Sequence, residues 1–391
     1  MFELKSSPIF NLSMASKELF HSNMLYWISM AYRPQFTFIL ETMGVQTQDW
    51  PSNWKSHREK DNFDLSITNE KEDEYLFILE NKVKSIPYTE QLEKYQNKAK
   101  TTNAQWMLLS LATNLPNEDN IKEEWKIKNY QDLAFAISMV FPTINDNYHR
   151  QLLEDYCACI LSLHKMQNSW TYKEDDKYLS KFVDDSEEEK NLGIEDIRKK
   201  VLYSRLAAHL QKELKAMIYT NKQIRDEKER SKDIYINSGM TRATGLLDIK
   251  IRIRGNLLFV IQIQGNAYRH CIETLEIKGE ELDTLKSIGL TLENKSTGNI
   301  VDNTLKNIIE NFFSISEDKQ NLCKYLFDLG EVEVPKSKKK SDKESSSAYN
   351  KYGNTFIYQY VKIKPDTTVK DVVNAIIEDV EAVKDKINNE K

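Results

Sequence analysis

Glycine, proline and cysteine are all scarce in this chain of 391 residues, which contains 11, 8 and 4 of them. So little glycine and proline excludes a collagen-like or globally low-complexity protein. The four cysteines have no Cys-x-x-Cys spacing, so they support neither a zinc ribbon nor a disulfide framework. The six histidines include no His-x-His or His-x-x-x-His pair, which argues against a histidine zinc site.

Long apolar runs and two common motifs are missing as well. No run approaches the ~18 apolar residues of a membrane span, and residues 1–5 do not open a signal peptide. We therefore expect a cytoplasmic protein without a membrane partner. No Gly-x-x-x-x-Gly-Lys-Ser/Thr stretch is present, which argues against a built-in P-loop motor.

The charge is unevenly distributed along the chain. The formal net charge is −5, so the chain as a whole lacks the positive charge that would indicate nucleic-acid binding. Residues 1–165 contain 17 basic and 22 acidic residues, so the excess of negative charge lies entirely in this part. Clustered carboxylates there could hold a cation. Hydrophobic residues make up 40% of the chain, enough to bury a sizeable core.

Hydrophobic periodicity predicts an α/β domain followed by a second region. Within residues 1–165 it predicts, in order, a helix over 14–31, a hairpin of strands 63–67 and 75–83, a helix over 88–100, a strand over 106–111, and helices near 130–141 and 147–165. Eight acidic residues lie between Lys173 and Lys190, and they predict an exposed acidic linker over 166–192. Residues 193–391 are expected to form a helix-rich α/β accessory region, with a flexible Lys/Ser loop at 335–350.

The chemistry-bearing residues are in the first predicted hairpin. Asp64 lies on its first strand, and Glu80 and Lys82 project from one face of its second strand. Hairpin pairing would bring the two carboxylates together, which suits a hard divalent cation such as Mg²⁺. A neighbouring ammonium complements an attacking hydroxide or the charge of a pentavalent phosphate. The plainer alternative is a Glu–Lys ion pair at the end of a strand.

These residues resemble a known family. Asp64 followed by Glu80-Asn81-Lys82 is similar to the Asp…Glu-x-Lys signature of the PD-(D/E)xK nuclease superfamily, although Phe63 replaces the usual proline. Three further segments, 17–28, 91–95 and 125–133, resemble a bacterial branch of uncharacterised RecB-like members in the right order. The resemblance covers about residues 10–165. It implies a three-layer restriction-endonuclease-like core with a mixed sheet.

The resemblance also implies roles for individual residues. Asp64 and Glu80 would coordinate Mg²⁺ or Mn²⁺, and Lys82 would orient or activate the attacking water. Glu18 matches a catalytic carboxylate of the opening helix; the alternative is an ordinary first-turn acid favoured by the helix dipole. Gln91 and Tyr95 match an element that can bind nucleic acid, and since they lie one helical turn apart they could equally be a packing pair.

The later half contains a weaker echo of this pattern. Asp248 and Gln262-Ile-Gln264 repeat the geometry on a similar predicted hairpin, with glutamine in place of the charged residues. The segment is either a degenerate internal copy or a generic hairpin with polar edge residues. Basic residues around it, including Lys250, Arg252 and Arg269, could attract nucleic acid.

Together these observations predict a Mg²⁺-dependent nuclease that hydrolyses phosphodiester bonds, with DNA favoured over RNA as the family's usual substrate. One alternative is a catalytically silent nuclease fold that serves as a nucleic-acid-binding or regulatory module. Another is a protein-interaction protein. A separately encoded protein partner is compatible with the absence of a motor motif, and the sequence does not define the oligomeric state.

Overall fold

The fold is described from a computed structural model of the chain. It describes residues 17–83, 92, 95, 104–111, 125–214, 234–241, 244–254, 257–274, 332–333, 350–352 and 356–389. The chain forms two compact units, each built from two separate segments. The first unit contains residues up to 171 together with 185–208, and the second contains 172–184 and the residues from 209 onwards.

The first unit is built around a mixed five-stranded sheet. Its strands, in chain order and in sheet order, are β1 (Lys55–Arg58), β2 (Leu65–Thr68), β3 (Tyr75–Lys82), β4 (Gln105–Ser110) and β5 (Lys126–Asn129). Strands β1–β3 pair antiparallel, and β3–β5 pair parallel. The predicted α/β core with a mixed sheet is therefore confirmed.

The first unit also contains helices. They are α1 (Lys17–Ala31), α2 (Arg33–Thr42), α3 (Tyr130–Ser138), α4 (Asn147–Ser169), α6 (Glu187–Leu192) and most of α7 (Glu195–Glu213). Helix α1 contacts the strands of the first hairpin, and α3 contacts β5. On the opposite side of β3, Ile78 lies in an apolar cluster with Phe63 and Ala104, and Tyr95, which is helical, packs against it.

Strand β3 is the central strand, and its residues explain its position. From Phe77 to Lys82 every residue is buried, as expected of a strand that is covered on both faces. Its run of large apolar residues supplies both layers of the core, while Glu80, Asn81 and Lys82 bring three polar side chains to its carboxyl end. The functional residues predicted from the sequence therefore lie where the best-buried strand ends.

The second unit has a separate, seven-stranded sheet. Its strands are β6 (Ile234–Thr241), β7 (Thr244–Arg254), β8 (Leu257–Gln264), β9 (Ala267–Thr274), β10 (Val332–Glu333), β11 (Asn350–Tyr352) and β12 (Phe356–Lys362). The order is β10-β12-β9-β8-β7-β6, with β11 also paired to β12, and every pair is antiparallel. Helix α8 (Val369–Asn389) contacts β7 and β8.

The acidic stretch differs from the expected exposed linker. It contains α5 (Tyr178–Phe182) and α6, and Tyr178, Phe182 and Leu192 are buried. Residues 172–184 belong to the second unit, and the Tyr178 hydroxyl donates to the Gly265 carbonyl of that unit at 3.2 Å. The acidic residues lie between these apolar anchors, so charge density alone did not reveal the packing. The domain boundaries at 165 and 193 stay a prediction.

Several sequence expectations lie outside the described residues. They are most of the helix predicted over 88–100 and most of the Lys/Ser loop at 335–350. Within the ranges that are described, no helix is both long and apolar enough to cross a membrane.

Candidate active site

The candidate site forms where strands β2 and β3 separate. Their ladder ends with Leu65 opposite Leu79, so the next residues of β3 have no partner strand on that side. The Asp64 carboxylate replaces the missing strand partner here, because its Oδ2 accepts a hydrogen bond from the backbone N–H of Asn81 at 2.6 Å. This bond holds Asp64 beside the Glu-Asn-Lys segment at the end of β3.

A turn of unusual backbone conformation precedes Asp64. Glu59, Asp61 and Asn62 all have positive φ, between 57° and 66°, although none is glycine. The turn is held by contacts with the β2–β3 hairpin: the Tyr75 hydroxyl donates to Asp61, and Lys60 pairs with Glu72 at 3.1 Å. A backbone conformation this unfavourable persists only where its surroundings determine it, so the turn positions Asp64 firmly.

The two carboxylates lie close enough to influence each other. Burial raises the pKa of Asp64, and the Glu80 charge raises it further, to about 7. The Asn81 N–H and the Lys82 ammonium oppose this rise in pKa without cancelling it. Burial is the largest of these effects, so Asp64 favours its protonated form in the metal-free protein.

Lys82 is paired within the site. Its ammonium lies 2.6 Å from Glu80 Oε1, and both side chains are almost fully buried. A buried ion pair of this kind is costly to desolvate, so it is a weak source of stability, and its two residues are candidate functional residues. The ion pair that the sequence offered as the plainer alternative is thus present, and it forms part of a three-residue cluster with Asp64.

A polar network supports the opposite face of β3. The fully buried Asn81 side chain donates to Ser22 Oγ on α1 at 3.2 Å and accepts from the Tyr130 hydroxyl on α3 at 2.5 Å. Nearby, the His21 ring nitrogen Nδ1 lies 3.1 Å from the Tyr156 hydroxyl of α4. These bonds fix the strand segment that carries Glu80 and Lys82, and sequence reasoning did not find them.

The remaining predicted site residues are only partly described. Glu18 lies in α1, but its side chain is outside the described part of the structure, as is Gln91. Tyr95 packs its ring edge-on against Phe63, with ring centroids 5.7 Å apart, next to Asp64 in the chain. This contact favours the packing role for Tyr95, while its binding of nucleic acid stays a prediction.

The donor set fits a cation that keeps part of its water shell. Within the described ranges, no three His, Cys, Asp or Glu side chains converge as a complete metal cage. Asp64 and Glu80 instead offer two carboxylates, which is how Mg²⁺ is usually held alongside waters and substrate phosphate. The residues present therefore fit a divalent cation of this kind.

The echo in the second unit does not reproduce this arrangement. Asp248 lies opposite Gln262 and accepts a hydrogen bond from its Nε2 at 2.9 Å. Gln262 Oε1 in turn accepts from Arg269, whose guanidinium lies over Tyr358. The neighbouring strands are all antiparallel, whereas β3 is followed by a parallel strand. These differences favour a generic hairpin over a degenerate copy.

The mixed sheet, with an acidic pair and a lysine at its central strands, is consistent with the restriction-endonuclease-like fold. Residues 35–158 match the family model of the PD-(D/E)XK nuclease superfamily, which confirms the resemblance over this range. The match includes Asp64, Glu80 and Lys82 and begins after Glu18. No curated protein and no solved structure matches the chain. The superfamily implies nuclease activity and a nucleic-acid substrate.

Proposed function

We propose that the chain is a divalent-metal-dependent nuclease that hydrolyses phosphodiester bonds of DNA. The observation that carries the proposal is the cluster of Asp64, Glu80 and Lys82 in the part of the chain that matches the superfamily. DNA, Mg²⁺ or Mn²⁺ and a cytoplasmic location come from the resemblance and the composition.

The proposed role of each site residue follows from its chemistry. Asp64 and Glu80 would hold the cation, which when bound supplies positive charge to the scissile phosphate and its attacking water. Lys82 would orient that water and offset charge on the phosphate. The bond from Asn81 N–H to Asp64 keeps one carboxylate oxygen in place and leaves the other for a ligand. Glu18, Gln91 and Tyr95 enter the proposal as additional residues of the site.

The decisive experiment is a cleavage assay with the full-length protein. Linear, circular and single-stranded DNA, and RNA, are incubated with Mg²⁺, Mn²⁺ or EDTA. We expect cleavage of DNA that EDTA abolishes. Glu80→Gln should abolish cleavage, since it removes a ligand charge at almost constant volume, and Glu74→Gln, on the exposed turn of the same hairpin, should not.

The results also separate the alternatives. Nucleic-acid binding without cleavage, equal in wild type and Glu80→Gln, would favour a catalytically silent binding module. Cleavage that survives Glu80→Gln would refute the assignment of the site. A lack of any interaction with DNA or RNA would favour a protein-interaction role.

A further inference from the structure

One face of strand β12 carries three aromatic side chains in a row. Phe356, Tyr358 and Tyr360 are two residues apart along the strand, so they project from the same face of the sheet, and each is partly exposed to solvent. Gln359 and Val361, which project from the other face, are buried. We call the three rings the β12 aromatic row. Its rings remain accessible on a strand whose other face belongs to the core.

Helix α8 packs on the opposite face of the second sheet. The Tyr268 hydroxyl of β9 donates to Asp379 Oδ2 of α8 at 2.6 Å, and His270 Nε2 lies 2.5 Å from the same oxygen. Arg269, between these two β9 residues in the sequence, projects from the other face and lies opposite Tyr360. The β12 aromatic row and Arg269 therefore share the face of the sheet that does not hold Asp379.

The rings of the β12 aromatic row are held in place but are not stacked on one another. The ring centroids of Phe356 and Tyr358 are 5.9 Å apart with the planes at 48°, and those of Tyr358 and Tyr360 are 6.2 Å apart at 44°. Phe356 and Tyr358 also pack against a buried apolar cluster on β8 and β9. Rings that are held from below and tilted to their neighbours can take flat partners on their solvent side.

Positive charge borders this row. The Arg269 guanidinium lies over the Tyr358 ring, 4.8 Å from its centroid, and Lys362 at the end of the same face is exposed. Glu273 projects from this face as well, but it pairs with Lys250 at 2.6 Å, so its charge is met within the sheet. Aromatic rings next to cations favour a partner that combines flat rings with negative charge.

A single-stranded nucleic acid has this combination of groups. Its unpaired bases stack on aromatic side chains and on guanidinium planes, and its phosphates are attracted to cations. In a duplex the base faces are stacked on one another, so a row of rings cannot reach them.

We propose that the β12 aromatic row binds single-stranded nucleic acid, with a base stacked at Tyr358 beside Arg269. Stacking supplies most of the affinity, because Arg269 also donates to Gln262 and is only partly available to phosphate. The proposal goes beyond the nuclease function, since it assigns a binding role to the second unit and requires neither a metal nor the residues of the candidate active site.

The test measures the affinity of the full-length protein for a fluorescent oligothymidylate by anisotropy in EDTA, so it does not depend on turnover. Tyr358→Leu should weaken binding about tenfold, the effect of losing one base–aromatic stack. Tyr358→Phe keeps the ring and should bind as wild type does. Tyr148→Leu, at a tyrosine of the first unit that is 72% exposed, is the matched control and should also bind as wild type does.

Aromatic residues also stabilise strands, so the melting temperature of each variant is measured beside its affinity. If Tyr358→Leu does not fold, Phe356→Leu takes its place with the same expected loss. Wild-type affinity in the leucine variant would overturn the proposal, as would a loss that Tyr358→Phe shares. So would equal affinity of wild type for the oligothymidylate and for its duplex with oligoadenylate, or no binding of the single strand.

The nuclease function fails on a different result. Absence of metal-dependent cleavage would refute it, whereas binding that depends on Tyr358 would still support the role of the β12 aromatic row. Cleavage that requires Glu80, together with oligothymidylate binding that Tyr358→Leu does not alter, would refute this inference alone.

Discussion

Asp64 and Glu80 place two acidic groups close together at the end of a buried strand. Burial, and after it the Glu80 charge, raises the pKa of Asp64 to about 7, so the protonated form is favoured in the metal-free protein. In the proposed metal site, the cost of ionising this carboxyl lowers the stability of the empty protein.

The first prediction concerns the stability of the metal-free protein. Between the ordinary pKa of an aspartate and about 7, folded Asp64 holds a proton that the unfolded chain has released. The stability contribution of Asp64 is therefore greatest below the unfolded pKa and is lost as the pH rises through about 7. Asp64→Asn should be more stable than wild type at pH 8 in EDTA, and the difference should disappear near pH 4.

Urea denaturation at several pH values measures this difference. Asp49→Asn, which alters an exposed aspartate in the same unit, is the control and should follow wild type throughout. A difference between Asp64→Asn and wild type that stayed constant with pH would contradict the role assigned to the carboxylate charge. Added Mg²⁺ should raise the stability of wild type and not that of Asp64→Asn.

The second prediction concerns Lys82. Lys82→Ala should reduce the rate of DNA cleavage by about 10²-fold or more if the lysine orients or activates the water. Its affinity for Mg²⁺ should be retained, because an ammonium group is not a ligand for the cation. Single-turnover cleavage with saturating Mg²⁺ measures the rate, and Lys71→Ala on the exposed hairpin turn is the control. A near-normal rate would exclude Lys82 from the chemistry.

Sequence reasoning identified part of the site and had no signal for the rest. Asp64, Glu80 and Lys82 could be recognised because charged residues interrupt an apolar strand pattern. The Asn81 network gave no such signal, since its partners Ser22 and Tyr130 come from helices that are distant in the sequence.

At the level of elements, the long apolar segments were predictable and the short polar ones were not. The hairpin β2–β3 and strand β4 were predicted because their residues alternate or form apolar runs. Strands β1 and β5 have four residues each, mostly polar, and form the edges of the sheet. Their pairing is decided by neighbouring strands rather than by their own pattern. Helix α2 was not predicted: proline usually interrupts a helix, but Pro34 lies in the first turn of α2, where proline is tolerated.

The third prediction tests how the helices hold β3. Tyr130→Phe removes the hydroxyl that donates to Asn81 Oδ1 and leaves a buried carbonyl oxygen without this donor. The free energy of unfolding should fall by about 1–3 kcal/mol. Tyr148→Phe, at a side chain that is 72% exposed, should have almost no effect. Chemical denaturation of both variants measures the difference, and equal stability would mean that the Asn81 contact contributes little.

For the whole molecule, the division into units changes what a fragment must contain. Residues 185–208 belong to the first unit, and within them Ile197, Val201 and Leu206 are buried. Arg205 also donates to the Trp170 carbonyl at 2.7 Å, near the end of α4. A fragment that ends at residue 165 would therefore lack part of the core of its own unit.

The fourth prediction compares two fragments. A fragment of residues 1–214 should melt at a higher temperature than one of residues 1–171, because each buried aliphatic side chain contributes about 1.5–3 kcal/mol. Differential scanning calorimetry measures both. The same melting temperature for the two fragments would show that residues 185–208 are dispensable for the first unit.

Some of the basic residues by which the second half could attract DNA are paired with other residues of the protein. Lys250 lies 2.6 Å from Glu273, and Arg269 donates to Gln262 at 2.7 Å. These two cations already have partners within the same sheet, so less charge faces a phosphate backbone than the composition suggested.

The polar residues at the end of β3 also have a consequence for how the chain reaches its native pairing. A strand that slips by one residue exchanges the side chains on its two faces. Over most of β3 both faces are apolar, so the hydrophobic effect discriminates poorly between the native and the slipped alignment. At the strand's end, however, a slip would move the charge of Glu80 or Lys82 to the place where Asn81 meets Ser22 and Tyr130. The residues proposed for catalysis thus also penalise misfolded alignments of the central strand.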